Sequence, residues 1–269
     1  MSAFLEKIER ARQESPRRLG FGTAPQEKNP PLPLVVGVTT SVTEALSPET
    51  ANALDGLLFK IANASELSEI QPPFENKPWG IWIDTPPPTA TLSMKNHGAE
   101  LLLFSPSETS IEIMQGKELT RLLLLSMEPE NDVTFNNLIS GLADFPIDAV
   151  VVALEYNPPL TVQHLIAAVR IRRLAGKPLL LSLSHFPTSQ ELEVLRDNNV
   201  DCVLVNVSTT TDKDVVSLRE RVNNLPARQR EKQDRANFAV TKLSNSPEQG
   251  LDEADADEAD ADDEEDSLL

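Results

Sequence analysis

Three side chains at the ends of apolar runs, Lys60, Asp84 and Glu155, carry groups that could do acid–base chemistry. Two facing carboxylates divide into an acid and a base when their surroundings separate their pKa values. A neighbouring lysine could hold a carboxylate substrate or, when desolvated, act as a base or a Schiff-base nucleophile. Together the three would form the catalytic set of an enzyme. The simpler alternative is that Lys60 neutralises one carboxylate in a static ion pair.

Further polar residues follow similar apolar runs and are expected to line the same site. Because side chains of a strand alternate between its two faces, Ser184 shares a face with Ser182, and Asn206 shares one with Ser208. Hydroxyl and amide groups of this kind orient the polar atoms of a ligand. The predicted ligand-binding residues are Thr39, Ser184, His185, Asn206 and Ser208.

Eight short apolar runs must position these residues. Each run has the length of a buried parallel strand, and most of the gaps between runs have the pattern of a helix. The alternation predicts an α/β fold and favours a (β/α)8 barrel, with a doubly wound open sheet as the alternative. The unit around 105–120 has no helical pattern and is expected to be degenerate. The runs are Leu34–Thr39, Gly56–Lys60, Trp79–Asp84, Glu100–Ser105, Arg121–Ser126, Ala149–Glu155, Pro178–Ser184 and Cys202–Ser208.

The runs divide the chain into three parts. Residues 1–33 are expected to form an amphipathic helix, suited to plug the bottom of a barrel, and a Pro-rich lead-in. Residues 34–226 would form the barrel. Residues 227–269 are predicted to be a linker and a disordered acidic tail, because a segment so poor in apolar residues cannot offset its ordering entropy.

The C-terminal third of the predicted barrel resembles a known group of proteins. The segments IDAVVVALE, GKPLLLSLS and VDCVLVNV, each followed by a helix, resemble the last three units of phosphate-binding TIM barrels. The resemblance implies the barrel fold and a phosphate held by glycine amides after strands seven and eight. In this chain those loops are SHFPTSQ and STTTDKD, which contain no glycine, so the chain departs from the family at the phosphate site.

Composition narrows the function classes. The net charge is −18, but 12 acidic and no basic residues lie between Glu248 and Leu269, which leaves 42 − 12 = 30 acids against 24 bases elsewhere. Such a barrel is not expected to bind nucleic acid, because phosphate contacts need clustered Lys and Arg.

The single cysteine, Cys202, cannot form an internal disulfide. No apolar run approaches the length of a membrane span, so a cytoplasmic location without membrane contact is expected.

These observations favour a degenerate, non-catalytic barrel that binds a small polar or anionic molecule, or a protein partner. A basic protein could dock on the acidic tail. The alternative is a lyase-, isomerase- or aldolase-like barrel enzyme that performs acid–base chemistry on a small anionic metabolite. No ligand spacing typical of zinc is present, and the sequence identifies no cofactor.

Overall fold

The computed structural model describes residues 2–13, 31–43, 46–72, 76–84, 94, 96–107, 109–114, 119–126, 139–154, 156 and 158–226. Most of the Pro-rich lead-in, Glu155 and the predicted tail at 227–269 lie outside the described residues.

Eight parallel strands form a closed barrel. Each strand pairs with the next one along the chain, and β8 pairs with β1. This closure confirms the predicted (β/α)8 barrel and excludes the open sheet. The strands are β1 (Leu34–Thr39), β2 (Gly56–Lys60), β3 (Trp79–Trp82), β4 (Leu101–Phe104), β5 (Thr120–Ser126), β6 (Ala149–Leu154), β7 (Leu179–Leu183) and β8 (Cys202–Asn206).

The described helices begin and end at recognisable capping residues. Ser47 Oγ accepts a hydrogen bond from Thr50 N at the start of α2, and Thr188 caps α4 in a capping box with Glu191. Gly176 ends α3 in the left-handed conformation that glycine tolerates best. None of the described helices is both long and apolar enough to cross a membrane. The helices are α1 (Ala3–Arg12), α2 (Pro48–Ala53), α3 (Val162–Ala175), α4 (Ser189–Asp197) and α5 (Asp212–Asn223).

Short 3₁₀ helices replace α-helices in two units. One spans Ala64–Glu69 after β2, and the other spans only Ile111–Met114 after β4. The second confirms that the unit around 105–120 is degenerate.

Two apolar layers form the core. The outer faces of the strands pack beneath the helices, with Val35 and Leu181 as examples. The interior is filled from alternate positions such as Val151 and Cys202. Complete burial raises the pKa of the Cys202 thiol well above its ordinary value, as expected of a core cysteine.

Helix α1 closes the bottom of the barrel. Phe4 and Ile8 are 0% and 1% exposed and pack among the interior side chains. Arg12 forms two 2.7 Å hydrogen bonds with the buried Asp201, one from Nε and one from Nη2. Lys7 Nζ lies 2.6 Å from the buried Asp55. Apolar burial and ion pairing therefore both attach this helix to the barrel.

Carboxylates that precede even-numbered strands also tie neighbouring strands together. Asp55, Asp148 and Asp201 stand directly before β2, β6 and β8. Their side chains accept hydrogen bonds at 2.8–2.9 Å from backbone N–H groups near the start of the preceding odd strand. Their own N–H groups donate to carbonyl oxygens of the same residues. Each aspartate thus fixes the register of two strands at the bottom of the barrel.

Candidate functional site

Lys60, Trp82 and Asp84 form a cluster at the ends of β2 and β3. Lys60 Nζ lies 4.4 Å from the centroid of the Trp82 ring, within cation–π range. The indole Nε1 of Trp82 donates a 3.1 Å hydrogen bond to Asp84 Oδ1. Both charged side chains are exposed, and Trp82 is half-buried. An indole ring therefore contacts both the predicted lysine and the predicted aspartate.

Thr39, Asn206 and Ser208 form a second cluster where β1 meets β8. Ser208 Oγ lies 3.0 Å from Thr39 Oγ1 and accepts a 2.8 Å hydrogen bond from Thr40 N. Asn206 Oδ1 accepts a 2.9 Å hydrogen bond from Ser208 N. Thr39 alternates with Val35 of the outer layer, so its phase is opposite to that of the interior residues. It reaches this cluster because it ends its strand, not because it points inward along the barrel.

Ser184, His185 and Tyr156 form a third cluster after β6 and β7. Ser184 Oγ donates to the Tyr156 carbonyl oxygen at 3.2 Å and lies 3.0 Å from His185 Nδ1. The hydroxyl has one proton, so while it serves the carbonyl oxygen, the histidine must be the donor. That polarity is the reverse of a serine activated by a histidine base. This arrangement positions the loop rather than preparing a nucleophile.

Tyr156 links the third cluster to the helices. Its ring centroid lies 5.6 Å from that of His164 and 5.8 Å from that of His185. Burial, together with the nearby negative charge of Glu191, raises the pKa of Tyr156 to about 12. The phenol is therefore neutral over the whole physiological range.

The structure groups the described members of the predicted site into three sets of contacting side chains. Asp84 and Lys60 share one set, but no ion pair within 4.0 Å joins these two described side chains. Glu155, the third predicted catalytic residue, lies outside the described residues. Among the described residues, no group of three or more His, Cys, Asp or Glu side chains could hold a metal ion.

Acidic side chains occupy the N-terminal turns of α4 and α5. In the first turn of α4, Glu191 accepts hydrogen bonds from Leu160 N at 2.7 Å and Thr188 N at 2.8 Å. Burial raises the pKa of Glu191, but these hydrogen bonds outweigh it, and the net pKa lies below the ordinary value. The first turn of α5 carries Asp212 and Asp214. Negative charge at both termini opposes binding of an anion there.

Sequence analysis did not assign site roles to Trp82, Tyr156 or Glu191. Trp82 alternates with Asp84, and aromatic residues make up only 4% of the chain, which was an available signal. In the sequence, Glu191 shows only the spacing of a capping box with Thr188. Its second bond, to Leu160, joins two loops and depends on tertiary structure.

Solved structures support the fold. A mutant tryptophan synthase alpha subunit from Pyrococcus furiosus superposes with a TM-score of 0.52 at 11% identity, covering 71% of this chain and 96% of that one. Tryptophan synthase from M. tuberculosis, in an open form, gives 0.50 at 10% identity over 70% and 90%. Phosphoribosyl anthranilate isomerase from Thermococcus kodakaraensis gives 0.49 at 10% identity over 71% and 99%.

The sequence comparisons add no family. No protein-family model matches the chain, and a search of curated proteins finds no match. At this level of identity, the likeness to solved structures shows the fold alone. The chain is thus a TIM barrel that is similar in fold to tryptophan synthase alpha subunits.

Proposed function

We propose that this protein is a degenerate, non-catalytic barrel that binds a small polar ligand at its mouth. The observation that carries the proposal is the exposed Lys60–Trp82–Asp84 cluster. Its ammonium and carboxylate groups contact the indole and do not pair with each other, so each can still bind a ligand group of opposite charge. The chemistry suits a small molecule that carries a carboxylate and a hydrogen-bond donor.

The remaining mouth residues support binding over catalysis. Thr39 and Asn206 are engaged with Ser208, and Ser184 is engaged with Tyr156. An acid–base site works best where water is excluded and pKa values are shifted toward the working pH. Lys60 and Asp84 are both exposed to water instead.

A thermal-shift screen on the full-length chain tests the proposal. The panel would contain carboxylated, phosphorylated and uncharged polar metabolites. We expect a carboxylated compound to raise Tm, because a ligand present at 100 times its Kd stabilises the fold by about 2.7 kcal/mol. Lys60→Ala and Asp84→Asn should abolish the shift. Lys177→Ala, which removes a lysine just before β7 at the other end of the barrel, should keep it.

The same samples distinguish binding from catalysis. After long incubation, NMR spectra should show the stabilising compound unchanged. Conversion of that compound by the wild-type protein, but not by Lys60→Ala, would establish the acid–base enzyme instead. If no compound gives a shift that depends on Lys60 or Asp84, the mouth is not the binding site.

A further inference from the structure

The side wall of the barrel contains an apolar cavity whose described lining shares no residue with the polar clusters of the mouth. It has a volume of about 470 Å³ and lies over the outer faces of β4 and β5. Ligand sites in proteins commonly measure about 300–1,000 Å³. The cavity lies beside the 3₁₀ helix Ile111–Met114, which is the only helical segment in the described part of the unit between β4 and β5.

The lining of the cavity defines the ligand it would accept. Its floor is formed by Phe104, Leu123 and Leu142, which are buried, while Ile111 at the rim is 78% exposed. A large aliphatic side chain with so high an exposed fraction, next to an apolar cavity, is typical of an interaction site. Phe145, 38% exposed, adds a second aromatic ring to the lining.

Polar and charged groups contribute little to the cavity. None of the described residues that line it has a charged side chain. Of the two hydroxyl groups in the lining, Thr109 Oγ1 donates to the Ser105 carbonyl oxygen at 2.5 Å, and Ser110 Oγ accepts from Glu112 N at 3.3 Å. A charged ligand would lose its hydration here without gaining a partner.

We propose that this side-wall cavity is a second binding site, which takes an uncharged, largely apolar molecule with an aromatic ring. Two phenylalanine rings and Met114 offer the edge and face contacts that an aromatic ring prefers. The site is independent of the mouth, because none of its lining residues belongs to the three mouth clusters.

Gly141 allows the cavity to be filled without distorting the fold. It lines the cavity, and a Cβ atom added there would meet nothing within 4 Å. Its φ lies outside the left-handed region, so other residues can adopt its backbone conformation. Gly141→Leu therefore places apolar atoms in the space that a ligand would occupy.

Saturation-transfer NMR on the full-length chain, with indole as the neutral probe and benzoate as the charged one, tests the site. We expect indole to bind the wild-type protein and benzoate not to bind. Gly141→Leu should weaken indole binding by about tenfold or more while leaving Tm unchanged or higher. Ala143→Leu adds a similar side chain to the same loop outside the cavity lining, and Lys60→Ala alters only the mouth; both should bind indole normally.

Three results would overturn the proposal. They are the absence of indole binding at millimolar concentration, equal binding by Gly141→Leu, and a dimer in solution that dissociates on Gly141→Leu. The last would show that a second copy of the chain covers the cavity. Loss of mouth binding in Lys60→Ala with indole binding intact would separate this site from the proposed function.

Discussion

The two ends of the barrel use polar side chains in opposite ways. At the bottom, Asp55 and Asp201 are 5% and 1% exposed, and each pairs with two cations and a backbone N–H group. At the mouth, Lys60 and Asp84 are exposed; Lys60 lies over the face of the Trp82 indole ring, and Asp84 accepts a hydrogen bond from its Nε1. Buried, fully paired charges hold the fold together, whereas exposed ones remain open to a ligand. In TIM barrels, stability and function separate between the ends in this way.

Removal of one carboxylate from each end should show the largest contrast. Asp201→Ala leaves the guanidinium groups of Arg12 and Arg172 and the N–H of Leu179 without their partner. We expect a loss of about 3–5 kcal/mol in the free energy of unfolding, measured with urea. Asp84→Ala at the mouth should change it by less than about 0.5 kcal/mol. Similar losses for the two variants would show that the ends do not differ.

The apolar face of α1, which closes the bottom of the barrel, gives the second test. Phe4→Ala removes a ring that is fully buried among the interior side chains, and we expect a loss of about 3 kcal/mol. The matched change near the mouth is Phe186→Ala, since Phe186 is only partly buried. It should cost about 1–2 kcal/mol. A negligible effect of Phe4→Ala would mean that α1 is not needed to close the barrel.

Acid pH should weaken the bottom through Asp55. Burial raises the pKa of this carboxyl, but the charges of Arg219 and Lys7 outweigh it and leave the pKa below its ordinary value. A carboxyl with a lowered folded-state pKa stabilises the fold above its unfolded pKa, and that stability is lost as the pH falls through the folded value. Urea unfolding below about pH 4 should therefore show a steeper loss for the wild type than for Asp55→Asn. Parallel pH profiles would contradict the assignment.

The smallest expected effect is a shift in the pKa of Tyr156, which leaves the protein unchanged at neutral pH. It is the single tyrosine of the chain, so an absorbance titration reports on it alone. We expect the phenol of the folded protein to ionise near pH 12, because burial disfavours the phenolate. In denaturant the midpoint should return to about 10. A folded-state midpoint near 10 would show that this part of the mouth is open to water.

The sequence predicted the barrel well because its strands are continuous apolar runs. The predicted ends of the strands were less accurate. The run that contains Asp84 extends two residues beyond Trp82, where β3 ends. The sequence could not set the phase of Thr39, because β1, LVVGVT, is buried on both faces and shows no polar alternation. The clusters of the mouth depend on which strand ends meet and at what register, and local sequence does not encode this.

The carboxylates of the bottom had a sequence signal that was not used. Asp55, Asp148 and Asp201 each stand immediately before an even-numbered strand, and Glu100 occupies the same position before β4. The backbone N–H of Glu100 donates to the Trp79 carbonyl oxygen at 2.8 Å, as in the other three units. An acidic residue before every second strand therefore predicts a fourfold repeat of bonded strand pairs.

The attachment of α1 also constrains the order in which the molecule can be completed during synthesis. Arg12 and its partner Asp201 are 189 residues apart in the chain. Helix α1 therefore has to wait for β8, which follows Asp201, before it finds its final position. Because chain closure over such a distance is slow, we expect its docking to be a late event, which seals the barrel after the sheet has closed.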